Sequence, residues 1–316
     1  MNGFAYILFG DTVRSVEPEE AVASKGEHVF VWIHLEGNED ARAWTRERLT
    51  LPETVEDALF AIETRPRLAT VGEGALVNLR GRAKDPAEDP LVSVRLWAEA
   101  GRVFSTGRRR IVTIRDLRHC MEAGQIRDPG DLIALLASEI TRDLDPEVAR
   151  LGDEVDACEG ELGAADIYRM RRQITAARAQ AIEYRRFLVP QREAIERLAT
   201  LSLPWIEEAD RAHLREAADR AARMAEELEA IRERSALLHE QLTDLHAEEI
   251  DRRGLLISIV AFVFLPLTFL TGLLGMNVEG IPYAHEPWAF WGVVGVCVAI
   301  ALAVVGYFTV KHWFRA

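Results

Sequence analysis

The sequence is poor in cysteine. Cys120, Cys158 and Cys297 are the three cysteines among 316 residues. They lie far apart with no C-x-x-C, which excludes a familiar thiolate zinc cluster and gives no disulfide framework, as suits a reducing compartment. No G-x-G-x-x-G, Walker A or H-E-x-x-H occurs, so nucleotide-dependent and zinc-protease chemistry find no motif. Charge is absent in two places: residues 254–278 and 287–310 contain no Asp, Glu, Lys or Arg. Each run is long enough to cross a hydrocarbon core of about 30 Å, which takes about 20 helical residues. Two such runs side by side predict two transmembrane helices, at 254–275 and 288–310.

The loop between them, 276–287, contains Glu279 and Glu286 but no base. Arg252 and Arg253 precede the first run, and Lys311 and Arg315 follow the second in a basic tail, 311–316. By the positive-inside rule both termini are expected in the cytoplasm and the loop outside. The N-terminal stretch "MNGFAYILFGDTV" has no basic n-region and a short apolar run, so it reads as no signal peptide. Loop acids and tail bases cancel, and the net charge of −13 therefore belongs to residues 1–253. Such an acidic body argues against a nucleic-acid partner, whose binding rests on Lys and Arg contacts to phosphate. It is compatible with attracting cations.

Residues 1–145 read as an α/β domain. Short runs rich in Val, Ile, Phe and Trp predict strands at 5–9, 29–35, 75–79, 92–97, 103–106 and 111–114. Helices are expected at 40–49, 52–61 and 131–142, and "GALVNLRG" and "RVFSTGRRR" read as neighbouring strands. Residues 146–253 read as a helical hairpin and stalk. Met170, Ile174, Ala177, Ala181, Tyr184 and Leu188 step by three and four within one helix, 146–188; Met224, Leu228, Ile231, Ser235, Leu238 and Leu242 do so in the next. Pro190 and Pro204 are expected to bracket the turn between them. The second helix meets only Gly254 before the membrane, so one continuous helix is predicted from near Trp205 to near Leu274, on the order of 100 Å at 1.5 Å per residue. It suits a ligand-controlled gate and a passive stalk equally.

Two spans in one chain enclose no aqueous path, so they either anchor the body or line a hole assembled from several copies. The first span carries Ser258, Thr268 and Thr271 with Pro266, and Gly254, Ile257, Ala261, Leu265, Thr268, Gly272 and Gly275 share one face. The second is almost wholly apolar with Trp288, Trp291, Tyr307 and Trp313 at its ends, as suits a lipid-facing helix.

The stretch "FLPLTFLTGLLGMN", followed by a short loop, a second span and a basic tail, resembles the CorA-type divalent metal transporters. Gly275-Met276-Asn277 matches that superfamily's signature at the expected place. The resemblance implies a homopentamer in the lipid bilayer of a bacterial inner membrane, not an enzyme, with a pore lined by the first span. Asn277 would form the outer ring beside Met276 and Gly275, and Thr268 a polar ring one step inward. Leu265, Ile257 and Gly254 would stand at the deeper constrictions, where Gly254 departs from the bulky residue of magnesium-type members. The loop "GMNVEGIPYAHEPWAF" lacks the M-P-E-L of magnesium-type members, and its Gly-Ile-Pro and Trp look more like the ZntB branch, associated with zinc. No covalently bound cofactor is expected; the divalent cation is cargo, zinc favoured, with magnesium, cobalt or nickel as the alternative.

An amide ring of Asn277 offers hard oxygen ligands, whereas bare Zn²⁺ prefers His and Cys. His285, with Glu279 and Glu286, is the loop's one means of concentrating zinc. On the stalk, His239, Thr243 and His246 share a face beside Glu240, Asp244 and Glu249, a candidate regulatory metal site. A membrane-anchored sensor or enzyme is the reading of another class; it needs a catalytic cluster in residues 1–145, and none is found.

Overall fold

The computed structural model describes residues 2–313 apart from 25–28, 63–64, 85–88, 110, 163–166, 277–279, 282 and 284–285, and for 311–313 the backbone alone. It divides into two compact units, Met1–His239 and Glu240–Ala316.

In the first unit a seven-stranded sheet has the order β2-β1-β3-β7-β6-β5-β4. Strand β1 (Gly3–Phe9) turns back as β2 (Thr12–Val16), helix α1 (Pro18–Ala23) follows, and β3 (Val29–Glu36) pairs antiparallel with β1. Helices α2 (Glu39–Arg48) and α3 (Glu53–Phe60) lead to the antiparallel run β4 (Arg67–Val71), β5 (Gly74–Arg82), β6 (Leu91–Glu99) and β7 (Arg102–Gly107). The last of these closes on β3 as a parallel pair. Apolar alternation builds both faces. Val31, Ile33, Leu35, Trp97 and Phe104 bury one face together with Ala41, Val55 and Leu59 of α2 and α3. The other carries Tyr6, Trp32 and Ser105, with Trp32 Nε1 donating to Ser105 Oγ at 2.9 Å.

Helix α4 (Val112–Glu122) packs on that second face with α5 (Pro129–Gly160). Three differences from expectation stand here. The strand expected at 111–114 is the entry to α4, because Ile114, Leu117 and Met121 bury one helical stripe; Ile111 keeps a single bridge to Ala83. The strands of "GALVNLRG" and "RVFSTGRRR" are not neighbours, since β6 lies between them. The expected boundary at 145/146 falls inside α5, where Pro146 sits mid-helix while Leu144, Val148, Leu151 and Val155 continue the buried stripe.

The expected helix at 146–188 is instead the end of α5 and most of α6 (Ile167–Thr200). Pro190 lies within α6, among buried Leu188, Gln191 and Ala194. A proline costs a helix one N–H and a clash, and buried flanks on both sides outweigh that locally. The turn expected to begin at Pro190 comes after Thr200, and α7 runs from Glu208 to Leu274 as 67 residues. Within the first unit its N-terminal part meets α5 and α6 through ion pairs, Arg185 with Glu229 at 3.0 Å and Arg234 with Glu159 at 2.6 Å. Gly254 does not interrupt it, as expected. Helix α8 (Ala289–Trp313) completes the chain.

Candidate functional site

The second unit holds the C-terminal part of α7 and α8. Two windows are apolar enough to cross a membrane, in α7 at a mean hydropathy of 2.4 and in α8 over Ala289–Val310 at 2.5, and neither is buried within the chain. Side chains divide the membrane part of α7 into two faces. Leu255, Ile259, Val263, Leu267, Leu270 and Leu274 are half-covered and recur at three- and four-residue spacing, the period of one helix face. Gly254, Ile257, Ala261, Leu265, Thr268 and Gly272 are exposed. Phe262 meets Phe308 of α8 edge-on, with ring centroids 6.1 Å apart.

The three hydroxyls of this segment are not equivalent. Ser258 Oγ donates to the Gly254 carbonyl at 2.9 Å, and Thr271 Oγ1 to the Leu267 carbonyl at 2.9 Å. Thr268 Oγ1 has no such bond among the described residues. A hydroxyl in hydrocarbon satisfies itself on its own helix unless a neighbouring helix, water or an ion takes that place. Pro266 adds a second polar opening, since without its N–H the Phe262 carbonyl lacks its helical donor.

The helix closes just before the loop that leads to α8. Gly275 N donates to the Thr271 carbonyl at 2.9 Å, and a Cβ at Gly275 would stand 3.0 Å from that same oxygen. Met276 follows, exposed. Asn277, Glu279 and His285 lie outside the described residues. Between Glu279 and His285, Gly280 has φ +100°, a conformation open to glycine. Tyr283 packs on Trp288 at 5.2 Å, and Glu286 N donates to the Tyr283 carbonyl at 3.0 Å, leading into α8. The Glu286 side chain is exposed, as are Trp288 and Trp291.

The predicted residues Gly254, Ile257, Leu265 and Thr268 thus share one exposed face, with Gly275 and Met276 at its end. His239 and His246 both fall on α7, half-buried. What sequence reasoning missed is the opposite half-covered face and the open Phe262 carbonyl; the spacing of the aliphatic residues and Pro266 were the available signals.

Comparison with known proteins identifies the family of the chain. The family model described as CorA-like Mg2+ transporter protein matches residues 27–311. A zinc transport protein ZntB of Yersinia enterocolitica is 31% identical over 315 residues, 98% of this chain and 95% of that protein. The divalent cation transporter CmaX of Pseudomonas aeruginosa is 37% identical over 268 residues, 83% of this chain and 80% of that one. The solved structure of full-length CmaX superposes with a TM-score of 0.82 at 33% identity, covering 98% of both chains. The CorA magnesium transporter of Methanocaldococcus jannaschii reaches the same TM-score and coverage at 17% identity, a likeness of fold. The tethered-enzyme alternative falls with these matches, which are to transporters. This chain belongs to the CorA-like family of metal-ion transporters.

Proposed function

We propose that this transporter moves divalent cations, zinc preferred, through a homopentameric pore in a bacterial inner membrane. The exposed face of α7 lines the path, with the Asn277 ring at its outer mouth and both termini in the cytoplasm. The observation that carries the reading is Thr268: on a face of small and aliphatic residues its hydroxyl alone, of the three, is not returned to its own helix. In a lone helix that arrangement wastes a hydrogen bond, and around a wet pore it supplies an oxygen ring. Leu265, Ile257 and Gly254 follow at deeper levels of the same face, and Glu279, His285 and Glu286 gather cations outside. The preference for zinc is supported by the ZntB relatives and by the missing M-P-E-L in the loop. A magnesium-type channel is the second reading, favoured by Asn277, whose amide oxygen suits a hydrated hard cation.

The test is uptake by the purified protein in liposomes, with Zn²⁺ and Mg²⁺ measured separately and Asn277→Ala as control. Zinc entry that Asn277→Ala abolishes is expected. No uptake of either ion would defeat the transport reading, and magnesium without zinc would defeat the ion preference.

A further inference from the structure

The first unit contains a cavity of about 530 Å³ lined by none of the residues assigned above to the ion path. It opens where the parallel strands β3 and β7 end side by side, Glu36 opposite Gly107. From β3 the chain passes to α2 and α3 on one face of the sheet, and from β7 to α4 on the other. Such a reversal leaves a crevice beyond the carboxyl ends of the strands, the place where open α/β sheets bind ligands. A volume of several hundred Å³ suits a small molecule.

The lining is cationic in a protein whose net charge is −13. Among the described lining residues are Lys84, Arg109, Arg115 and Arg118 together with the carboxylate of Glu36, which accepts from Asn2 Nδ2 at 3.0 Å. Arg118 is held in place by aromatic and hydroxyl contacts, with Glu122 reached only through the Tyr6 hydroxyl, which donates to Glu122 Oε1 at 2.5 Å. Its Nε donates to Tyr6 Oη at 3.1 Å and its guanidinium lies 4.6 Å over the Phe4 ring, yet it meets no carboxylate among the described residues. Arg115 pairs with its own neighbour Asp116 at 3.1 Å in an exposed position, a contact worth little in water.

Two further groups complete the wall. Helix α4 begins here at Val112, with Ile111 at the N-cap, no side-chain cap and no acid in its first turn. Its first amides and the positive end of its dipole are therefore open to an anion. At the floor, His34 stacks on Phe4 at 5.0 Å, and its Nδ1 lies 2.9 Å from Ser105 Oγ, which leaves Nε2 for an occupant. Burial lowers the His34 pKa to about 4, with Arg118 adding to the shift and Glu36 opposing it, so the ring stays neutral.

We propose that this cavity binds a small soluble molecule bearing a phosphate group and hydroxyls, of nucleotide size. Guanidinium forks and open helix amides match a tetrahedral oxyanion with several acceptors, which a carboxylate fills less completely. Glu36 accepts from hydroxyl groups on the rest of the molecule. The lining residues all belong to the first unit, and occupancy of the site is independent of which cation is carried.

Calorimetric titration of the full-length protein in detergent tests this, with ADP and inorganic phosphate as probes and EDTA present to remove divalent cations. Saturable ADP binding is expected, displaced by phosphate and weakened about tenfold or more, a loss of about 1.4 kcal/mol, in Arg115→Gln/Arg118→Gln. Arg115→Gln alone, clear of the Phe4 and Tyr6 packing, weakens it in the same direction while melting like the wild type. Absence of saturable ADP binding, unchanged affinity in both variants, or ADP that phosphate never displaces would each overturn the proposal.

Discussion

Asp210 occupies the space that a side chain at Gly130 would need. A Cβ built on Gly130 overlaps Asp210 Oδ2 and stands 2.8 Å from its Cγ and 2.9 Å from the Trp205 carbonyl. The contact joins the starts of α5 and α7. Asp128 caps α5 by accepting from Asp131 N at 2.9 Å, and Asp210 accepts from Glu207 N at 2.8 Å. With Asp131, these carboxylates lie within 4.8 Å of one another, each occupied in closing a helix start.

Gly130→Ala should therefore destabilise the first unit, although alanine is the better helix former by about 1 kcal/mol. The overlap involves a backbone carbonyl and a side chain buried to 2% exposure, so neither yields cheaply. Overpacking of this kind costs about 1–3 kcal/mol and outweighs the propensity gain. Thermal unfolding in detergent should show a lower midpoint for Gly130→Ala and no loss for Gly160→Ala, where nothing lies within 4 Å. Equal midpoints would mean that α5 and α7 separate without cost.

Acidification should reveal two opposed groups in this unit. Burial raises the Asp210 pKa from 3.8 to about 6, with Asp128, Asp131 and Glu207 adding to the shift and the Glu207 amide opposing it. The folded form binds that proton more tightly than the unfolded chain, so Asp210 contributes stability as pH falls through 6 toward 4. His34 runs the other way. Its pKa falls from 6.5 to about 4, so the unfolded chain takes the proton first and stability is lost over that window. Between pH 7 and 5 each effect is about 1–2 kcal/mol, and they largely cancel. Asp210→Asn should expose the loss on acidification, and His34→Gln the gain. The same pH profile in both variants as in the wild type would contradict this assignment.

Glu56 should be the costliest carboxylate to neutralise in α3. It is 7% exposed and accepts from Arg46 Nη2 at 2.6 Å and Arg42 Nε at 3.3 Å, fastening α2 to α3. The arginine hydrogen bonds lower its pKa against the opposing effect of burial. Its stabilisation is thus present above the ordinary carboxylate range and lost as pH falls through the lowered value. Glu56→Gln keeps the shape and one acceptor, and should cost about 1–2 kcal/mol because both arginines reach solvent. A melting curve at pH 7 checks it.

How far the fold could be read from sequence depends on what each residue reports. Central strands such as Val29–Glu36 and Leu91–Glu99 bury both faces and announce themselves by β-branched and aromatic content. The edge strands Thr12–Val16 and Arg67–Val71 are short and mostly exposed, so alternation never develops. Pro146 and Pro190 read as boundaries because local propensity says so; burial of the helix faces around them prevails. The exposed face of α7 was legible because small residues and Thr268 recur at three and four. Asp210 was not, since a buried acid at a helix start looks like any cap until Gly130 is brought beneath it.

Thr268 offers the sharpest test of the ion path, because Thr271 serves as an internal control one turn away. Both are threonines on the same membrane segment, but Thr271 Oγ1 is spent on the Leu267 carbonyl while Thr268 Oγ1 is not. Thr→Val removes the hydroxyl at nearly constant volume. At 271 it takes away a bond internal to the helix, worth about 1 kcal/mol, and should leave uptake rates close to wild type. In the proposed pore, the change at 268 would replace a polar ring by an apolar one, and an ion in transit would lose an oxygen from every copy; uptake should fall about tenfold or more. Thr268→Ser keeps the hydroxyl and should retain most of the rate, which separates loss of the oxygen from loss of packing. Measured in liposomes at equal protein density, unchanged uptake in Thr268→Val would move the path off this face of α7, and an equal loss in Thr271→Val would assign both effects to folding of the span.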